Sequence, residues 1–127
     1  METSKIDKEV AAGMSGFEAA ADQLVANFMF GEDFIGFDGH FPTKKVLPGI
    51  CQIQCVKAML GQWKHTEVFL KEIVNAKYFL PVSPGEELTC RCRDITDNGD
   101  GYSLKASISR GSEKVSEFRV YFSKEKG

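Results

Sequence analysis

The chain has 127 residues, 43% hydrophobic and 27% charged, a composition that fits one globular domain over residues 1–127 rather than two. Its formal net charge of -2 argues against nucleic-acid binding and against attraction to an anionic membrane. No run approaches the roughly 20 apolar residues of a bilayer-spanning helix, and the N-terminus lacks the apolar centre of a signal peptide, so we expect a cytoplasmic protein.

The first half of the chain predicts little regular structure before one long helix. Residues 1–17 are polar and rich in Gly and Ala, which predicts a short helix or a frayed N-terminal segment. The loosely alternating run from Ala20 to Phe30 predicts a strand. Residues 31–48 combine Gly, Pro, Asp and Phe so densely that we expect a long loop, and aromatic-rich loops of this kind often carry function.

Residues Gly49–Trp63 have the periodicity of a helix with a wide apolar arc. Placing successive residues about 100° apart brings Ile53 and Leu60 to the apolar side, and we expect this helix to be covered on most sides. Gln54 falls on the polar arc, where solvent contact and a place in a pocket are both open. Gln52 falls within the apolar arc, which implies either burial with a hydrogen-bond partner or an irregular first turn.

The chain after the helix predicts a meander of about four antiparallel strands. Alternation and the enrichment of β-branched and aromatic residues indicate strands within residues 68–82, 87–96, 102–110 and 114–124. The Gly-rich cluster from Asn98 to Gly101 predicts a hairpin turn. One long helix packed on an antiparallel sheet is an α+β architecture.

The four cysteines are predicted to be small buried hydrophobic residues. Cys51 and Cys55 are one helical turn apart, whereas Cys90 and Cys92 share one face of a strand. These spacings fit a zinc site badly, and reduced thiols are the rule in the cytoplasm. The sequence therefore predicts no metal and no other cofactor.

One motif resembles a known family. The segment GHFPTKKVLPG, from Gly39 to Gly49, resembles the active-site segment of the 3-hydroxyacyl-(acyl carrier protein) dehydratases, whose pattern is GHFPxxPVxPG followed by a helix with an acidic residue. Lys45 stands where that family usually has a proline, and a weaker match lies between Ala76 and Leu88. The resemblance implies the hot-dog fold, in which a curved antiparallel sheet wraps one long central helix.

The resemblance also implies a reaction and its partners. Family members eliminate water from a 3-hydroxyacyl thioester to give a trans-2-enoyl thioester in fatty-acid or related acyl-chain synthesis. The acyl chain arrives on the phosphopantetheine arm of acyl carrier protein. Two protomers form a homodimer, or a trimer of dimers, with each active site at the subunit contact, where the histidine of one protomer faces the helix acid of the other.

The site residues implied by this resemblance can be assigned to positions of the chain. His40 would take the α-proton, the N–H of Gly49 would bind the thioester oxygen, and Gln54 occupies the position of the helix acid. An amide cannot supply a proton, so Gln54 would position the substrate hydroxyl, and the enzyme would have reduced activity. The walls of the substrate pocket would come from Phe37, Phe41, Pro42, Val46, Leu47, Pro48, Ile50 and Ile53.

Replacement of the acid by Gln54 leaves several alternatives open. His40 could perform both proton transfers, water could supply the acid, or Asp38 could substitute for it. A different class of function is a non-catalytic subunit that binds acyl thioesters or serves as a scaffold, paired with a partner that supplies the acid. A thioesterase is a third hypothesis, although such enzymes of this fold generally use a carboxylate on or near the same helix.

Overall fold

A computed structural model describes residues 4–37 and 44–126, in which one long helix packs on a curved six-stranded sheet. This arrangement confirms the predicted α+β architecture. None of the helices in these two ranges is long and apolar enough to span a membrane. In chain order, the elements are helix α1 (Lys5–Ala12), strands β1 (Met14–Ala19) and β2 (Gln23–Met29), a 3₁₀ helix (Ile35–Phe37), helix α2 (Gly49–Lys64), and strands β3 (Phe69–Tyr78), β4 (Glu87–Asp97), β5 (Gly101–Arg110) and β6 (Glu113–Ser123).

The sheet is antiparallel throughout, with the strand order β1-β2-β4-β5-β6-β3. The predicted β4–β5 hairpin forms, and Gly99 adopts the positive φ of 88° that its turn requires. The four-strand meander is wrong for β3, which crosses to the far edge of the sheet and pairs with β6, so that Ile73 lies opposite Val120. Alternation along one strand identifies its buried face but does not specify the neighbour with which it pairs.

Helix α2 begins at Gly49 as predicted and ends one residue beyond the prediction. Its wide apolar arc is buried against the inner face of the sheet, where Leu104, Phe118 and Val120 are also buried. Burying apolar side chains on most sides of the helix stabilises it more than its intrinsic propensity does. The buried residues of α2 are Cys51, Gln52, Ile53, Cys55, Val56, Met59 and Leu60.

The N-terminal segment contains more regular structure than the sequence predicts. The hydroxyl of Ser4 caps α1 by accepting a hydrogen bond from the N–H of Asp7 at 3.2 Å, and Val10 is fully buried. Strand β1, which the sequence analysis does not identify, pairs with β2. An irregularity between Ser15 and Glu18 interrupts its register, so the strand lacks the regular alternation by which strands are recognised.

The predicted loop after β2 contains a 3₁₀ helix fixed by a series of aromatic rings. The ring centroids of Phe30 and Phe34 are 4.5 Å apart, and those of Phe34 and Phe37 are 5.6 Å apart in an edge-to-face arrangement. A Cβ added at Gly36 would lie 2.9 Å from the Sγ atom of Cys51 and would also overlap the ring of Phe34. The loop is therefore packed directly on the first turn of α2 as far as Phe37.

All four cysteines are buried and unpaired, which confirms that they are small core residues. The Sγ atom of Cys92 lies 4.0 Å from the Sδ atom of Met59, so the sulfur atoms of β4 and α2 are in contact within the core. Burial raises the pKa of the Cys51 thiol to about 11 and raises that of Cys55 well above its ordinary value. These thiols are therefore protonated and poorly nucleophilic near neutral pH.

Candidate active site

Three of the predicted site residues, His40, Phe41 and Pro42, lie outside the described residues. The chain on either side of them is firmly attached to the core. Phe37 is buried at the end of the 3₁₀ helix, and the N–H of Leu47 donates to the carbonyl oxygen of Val82 at 2.8 Å. Phe37 therefore occupies the core in the structure.

The first turn of α2 presents backbone N–H groups that have no acceptor within the helix. Pro48 is the N-cap residue, with an extended backbone (φ -62°, ψ 148°), and no side chain of the described residues caps the helix. The N–H groups of Cys51 and Gln52 both donate to the carbonyl oxygen of Pro48, at 3.1 and 3.4 Å. The N–H groups of Gly49 and Ile50 precede these bonds, at the positive end of the helix dipole, where they can stabilise charge on an oxygen atom.

A groove of about 360 Å³ opens beside these donors and is called the helix-start groove here. Tyr78 of β3 lies directly over Gly49, since a Cβ built at Gly49 would be 2.5 Å from Tyr78 Cζ and 2.7 Å from its Oη. Burial raises the pKa of the Tyr78 phenol, so its hydroxyl stays protonated and can donate a hydrogen bond. The groove is lined by Val46, Leu47, Gly49, Gln52, Tyr78, Phe79, Leu80 and Pro81.

Gln52 is held at the inner end of this groove. Its side chain is buried, and its Oε1 atom accepts a hydrogen bond from the Oγ atom of Ser116 on β6 at 2.7 Å. This contact resolves the two alternatives for Gln52 in favour of burial with a partner. Because a buried hydrogen bond between side chains fixes both rotamers, it sets the position of the first turn of α2 relative to the sheet.

Gln54 lines a second cavity, of about 370 Å³, between α1, the polar arc of α2 and the residues that follow α2. This space is called the Gln54 cavity here, and Met14, Ala58 and Val68 supply apolar parts of its wall. The Oε1 atom of Gln54 is buried and has no hydrogen-bond partner among the described residues. An unmatched buried acceptor costs about 1–3 kcal/mol, so a donor group on a ligand would be favoured at this atom.

The same cavity contains a lysine between two carboxylates. The Nζ atom of Lys57 lies 2.7 Å from Oδ2 of Asp7 on α1 and 3.9 Å from Oε2 of Glu67. It also lies 5.7 Å from the ring centroid of Phe69. The three charged side chains are between 13% and 27% exposed, so the ammonium group is partly withdrawn from solvent. This cavity therefore combines an amide acceptor with a cationic donor.

The predicted catalytic positions are divided between these two spaces. Gly49 lines the helix-start groove and Gln54 lines the other cavity, because five residues on a helix correspond to a rotation of about 140°. Val46 and Leu47 line the groove as well. Ile50 is 48% exposed, and Ile53 is buried in the core. One chain thus does not bring Gly49 and Gln54 together around a single ligand.

Three polar residues of these spaces were not singled out from the sequence. Tyr78 reaches the helix start only because β3 crosses to β6, a pairing that local patterns do not encode. Asp7 reaches Lys57 only because α1 packs on α2. The presence of Lys57 three residues after Gln54 was visible on the helical wheel, since positions three apart share a face.

Known structures share this architecture. The dehydratase heterocomplex ApeI:P from Xenorhabdus doucetiae matches with a TM-score of 0.69 and 18% identity over 87% of this chain and 96% of the other. A putative thioesterase, yhdA from Lactococcus lactis, matches with a TM-score of 0.69 and 15% identity over 95% of this chain and 96% of the other. At these identities the likeness shows the fold alone, which is the predicted hot-dog fold.

Sequence comparison defines the family. The family model for ApeI-like proteins, described as ApeI dehydratase, matches residues 17–119, so the chain belongs to the ApeI-like dehydratase family. It is 37% identical over 89 residues to the 3-hydroxyacyl-[acyl-carrier-protein] dehydratase FabZ of Rickettsia felis, covering 64% of this chain and 61% of the relative. The FabZ of Rickettsia akari is 38% identical over 60 residues, 41% of each chain. The chain thus spans about three fifths or less of the length of these relatives.

Proposed function

We propose that this protein is a 3-hydroxyacyl-(acyl carrier protein) dehydratase that forms a trans-2-enoyl thioester. The observation that carries the proposal is the start of α2, where the N–H groups of Gly49 and Ile50 adjoin a groove of about 360 Å³. This start follows the HFP motif after residues 43–48, in a chain that belongs to the ApeI-like dehydratase family. The names of the Rickettsia relatives support a substrate carried by acyl carrier protein.

The chemistry assigns a separate task to each part of the site. The imidazole of His40 takes the α-proton, and the negative charge that develops on the thioester oxygen is stabilised by the N–H of Gly49. The carbon–oxygen bond at C3 then breaks, and its electron pair leaves with the hydroxyl group. The unmatched Oε1 atom of Gln54 accepts the hydrogen bond of that hydroxyl and holds it in place.

The division of Gly49 and Gln54 between two spaces supports a site shared by two copies of the chain. Strand β3 pairs with β6 on one side, and its other edge has no partner within the described residues. Ile73 and Val74 on this edge strand are 44% and 56% exposed. Since an exposed apolar edge strand is a site for pairing with another chain, we assign it to a homodimer in which each Gln54 serves the groove of the other protomer.

The dimer assignment predicts the effect of one charged substitution. Val74→Lys should convert the dimer to a monomer and abolish enoyl formation, since an ammonium group would have to be buried between two edge strands. Sedimentation velocity measures the first effect. Ser15→Lys on β1, at the opposite edge of the sheet, serves as the control because it adds the same charge at an exposed position away from β3. A monomeric wild-type chain with full activity would contradict the shared site.

The activity is tested with a 3-hydroxyacyl thioester on acyl carrier protein, following the absorbance of the enoyl product. The wild-type chain should produce enoyl thioester, and His40→Gln should reduce kcat by at least about a hundredfold because the base is lost. The unfolding midpoint of each variant shows whether the fold is retained. Equal turnover by wild type and a folded His40→Gln variant would refute the assignment of the base.

A non-catalytic role is the second candidate, favoured by the amide at position 54. The Xenorhabdus neighbour is a heterocomplex, and a second, related subunit could supply the acid that this chain lacks. In that case acyl carrier protein binds but no enoyl product forms until the other subunit is added. Release of free thiol in the same assay would instead indicate the thioesterase activity for which the Lactococcus neighbour is described. The four unpaired thiols support a cytoplasmic location in every case.

A further inference from the structure

Dehydration requires a proton for the departing hydroxyl group, and the Gln54 amide cannot provide it. The Oε1 atom of Gln54 is an acceptor, so it can hold the hydroxyl by its hydrogen but cannot protonate its oxygen. A second group that donates to the oxygen is therefore needed in the same space. Among the described residues that line the Gln54 cavity, Lys57 carries an ammonium group whose neighbours are fixed by contacts in the structure.

Helix geometry places Lys57 and Gln54 on one face of α2. Residues three apart lie on one face of a helix, with Cβ atoms about 5–6 Å apart. The Lys57 ammonium lies in the same cavity, beside Asp7 and Glu67. Both side chains line the cavity. A hydroxyl group between them would donate to the amide and accept from the ammonium.

The carboxylates around Lys57 hold the ammonium without exhausting its donors. An ammonium group has three N–H donors, and Asp7 accepts one of them at 2.7 Å. The Oε2 atom of Glu67, at 3.9 Å, is beyond hydrogen-bond distance but adds a favourable charge. One of the remaining donors can therefore reach a substrate hydroxyl while the ion pair with Asp7 stays intact.

The ion pair between Lys57 and Asp7 is not the only contact that holds α1 against the rest of the chain. This argues against a purely structural role for Lys57. Val10 of α1 is fully buried, and the Oε1 atom of Glu9 accepts a hydrogen bond from the N–H of Ile35 at 3.0 Å. These contacts hold the helix in place independently of the charge on Lys57. A structural function therefore does not require this lysine in particular.

We infer that Lys57 is the general acid of the proposed dehydration, in place of the carboxyl group that Gln54 has replaced. The inference rests on the proposed function. His40 removes the α-proton, and the electron pair of that C–H bond becomes the double bond between C2 and C3. The bond between C3 and oxygen breaks, its electron pair goes to the oxygen, and an N–H of Lys57 protonates that oxygen to give water. The Lys57 amine regains a proton from the His40 imidazolium through solvent.

The test uses substitutions that separate charge from proton donation. Lys57→Arg keeps the positive charge and the contact with Asp7, but a guanidinium group does not give up its proton in proteins. We expect kcat to fall about a hundredfold or more with the unfolding midpoint nearly unchanged. Lys114→Arg on β6 is the control, because it makes the same substitution in an exposed ion pair outside the cavity, and its kcat should stay within about threefold of wild type.

A second substitution should restore part of the kcat that Lys57→Arg removes. Gln54→Glu places an acid at the adjacent position, and in the Lys57→Arg background it should raise kcat by about tenfold to a hundredfold. In the wild-type background the gain should be smaller, because two groups that serve one proton transfer are not additive. If Lys57 acts only by supporting the fold, Gln54→Glu should raise kcat by the same factor in both backgrounds.

The outcomes distinguish this inference from the proposed function. Product formation by wild type together with a folded Lys57→Arg variant of unchanged kcat would overturn the role of Lys57 alone. An equal gain from Gln54→Glu in both backgrounds would also overturn it, since the two groups would then not serve one proton transfer. No product from the wild-type chain, despite binding of acyl carrier protein, would defeat both the dehydratase activity and this assignment.

Discussion

Replacing Gly49 by alanine places a methyl group between the start of α2 and the ring of Tyr78. The new Cβ would lie 2.5 Å from Tyr78 Cζ, whereas carbon atoms at ordinary contact are about 3.5–4.0 Å apart, so the ring must move by about 1 Å. Tyr78 is 47% exposed and can move. We therefore expect the free energy of unfolding to change by no more than about 1 kcal/mol, partly because alanine favours the helix.

The effect of Gly49→Ala on catalysis should be much larger than its effect on stability. The methyl group, together with the Tyr78 ring that it displaces, would crowd the side of the helix start from which a thioester oxygen approaches the N–H of Gly49. Loss of one such donor typically lowers kcat by about a hundredfold to a thousandfold, or about 2.7–4 kcal/mol. The assay is enoyl formation from a 3-hydroxyacyl thioester, with kcat and KM determined separately. Full activity of the folded variant would refute the placement of the thioester oxygen at Gly49.

Two further substitutions separate the causes of that loss. Adding Tyr78→Ala to Gly49→Ala removes the ring that the methyl group displaces, and activity should remain low if the substrate itself is blocked. Recovery in the double variant would instead trace the loss to the displaced ring. Gly61→Ala, in the same helix, is the stability control: its Cβ would lie 3.4 Å from the Thr66 carbonyl oxygen, and stability should rise by about 0.5–1 kcal/mol.

Two other predictions concern the core. Ser116→Ala leaves the buried Oε1 atom of Gln52 without its donor and should lower the free energy of unfolding, measured in urea, by about 1–3 kcal/mol. The control, Ser107→Ala on the outer face of β5, should change this free energy by less than about 0.5 kcal/mol. Equal effects of the two substitutions would contradict the role of this hydrogen bond. Burial raises the pKa of the Cys51 thiol to about 11. The protonated thiol therefore contributes fully to the free energy of unfolding below the ordinary thiol pKa of about 8.5, and this contribution is lost as the pH rises toward 11. The thermal unfolding midpoint should therefore fall across this range, and less steeply for Cys51→Ala; identical slopes for the two proteins would count against this explanation.

Helix α2 could be predicted from the sequence to within one residue because its signals are local. The Pro48-Gly49 start and the wide apolar arc are properties of consecutive residues. The edge position of β3 could not be predicted in this way. Its pairing with β6 joins distant parts of the chain, and the β-branched and aromatic residues that identify β3 as a strand do not specify its neighbour.

The candidate site, too, could be predicted from the sequence only where the signals are local. The motif predicted the importance of Gly49 and Gln54, and both residues line cavities. The sequence placed Gln54 on a polar arc without showing whether it meets solvent, because the answer depends on α1, which covers that arc. The roles proposed for His40, Gly49 and Gln54 stay predictions until turnover is measured.

The crossing of β3 to the sheet edge constrains the order in which the newly made chain can fold. Tyr78 pairs with Ser116 and Phe69 pairs with Ser123, so the ladder of β3 closes only after β6 has left the ribosome. Until then β3, with its exposed Ile73 and Val74, follows α2 without a hydrogen-bonded neighbour in its own chain. In a chain whose synthesis is incomplete, the unpaired β3 is therefore a site at which two chains can associate and aggregate. The yield of folded protein should then depend on the rate and temperature of synthesis.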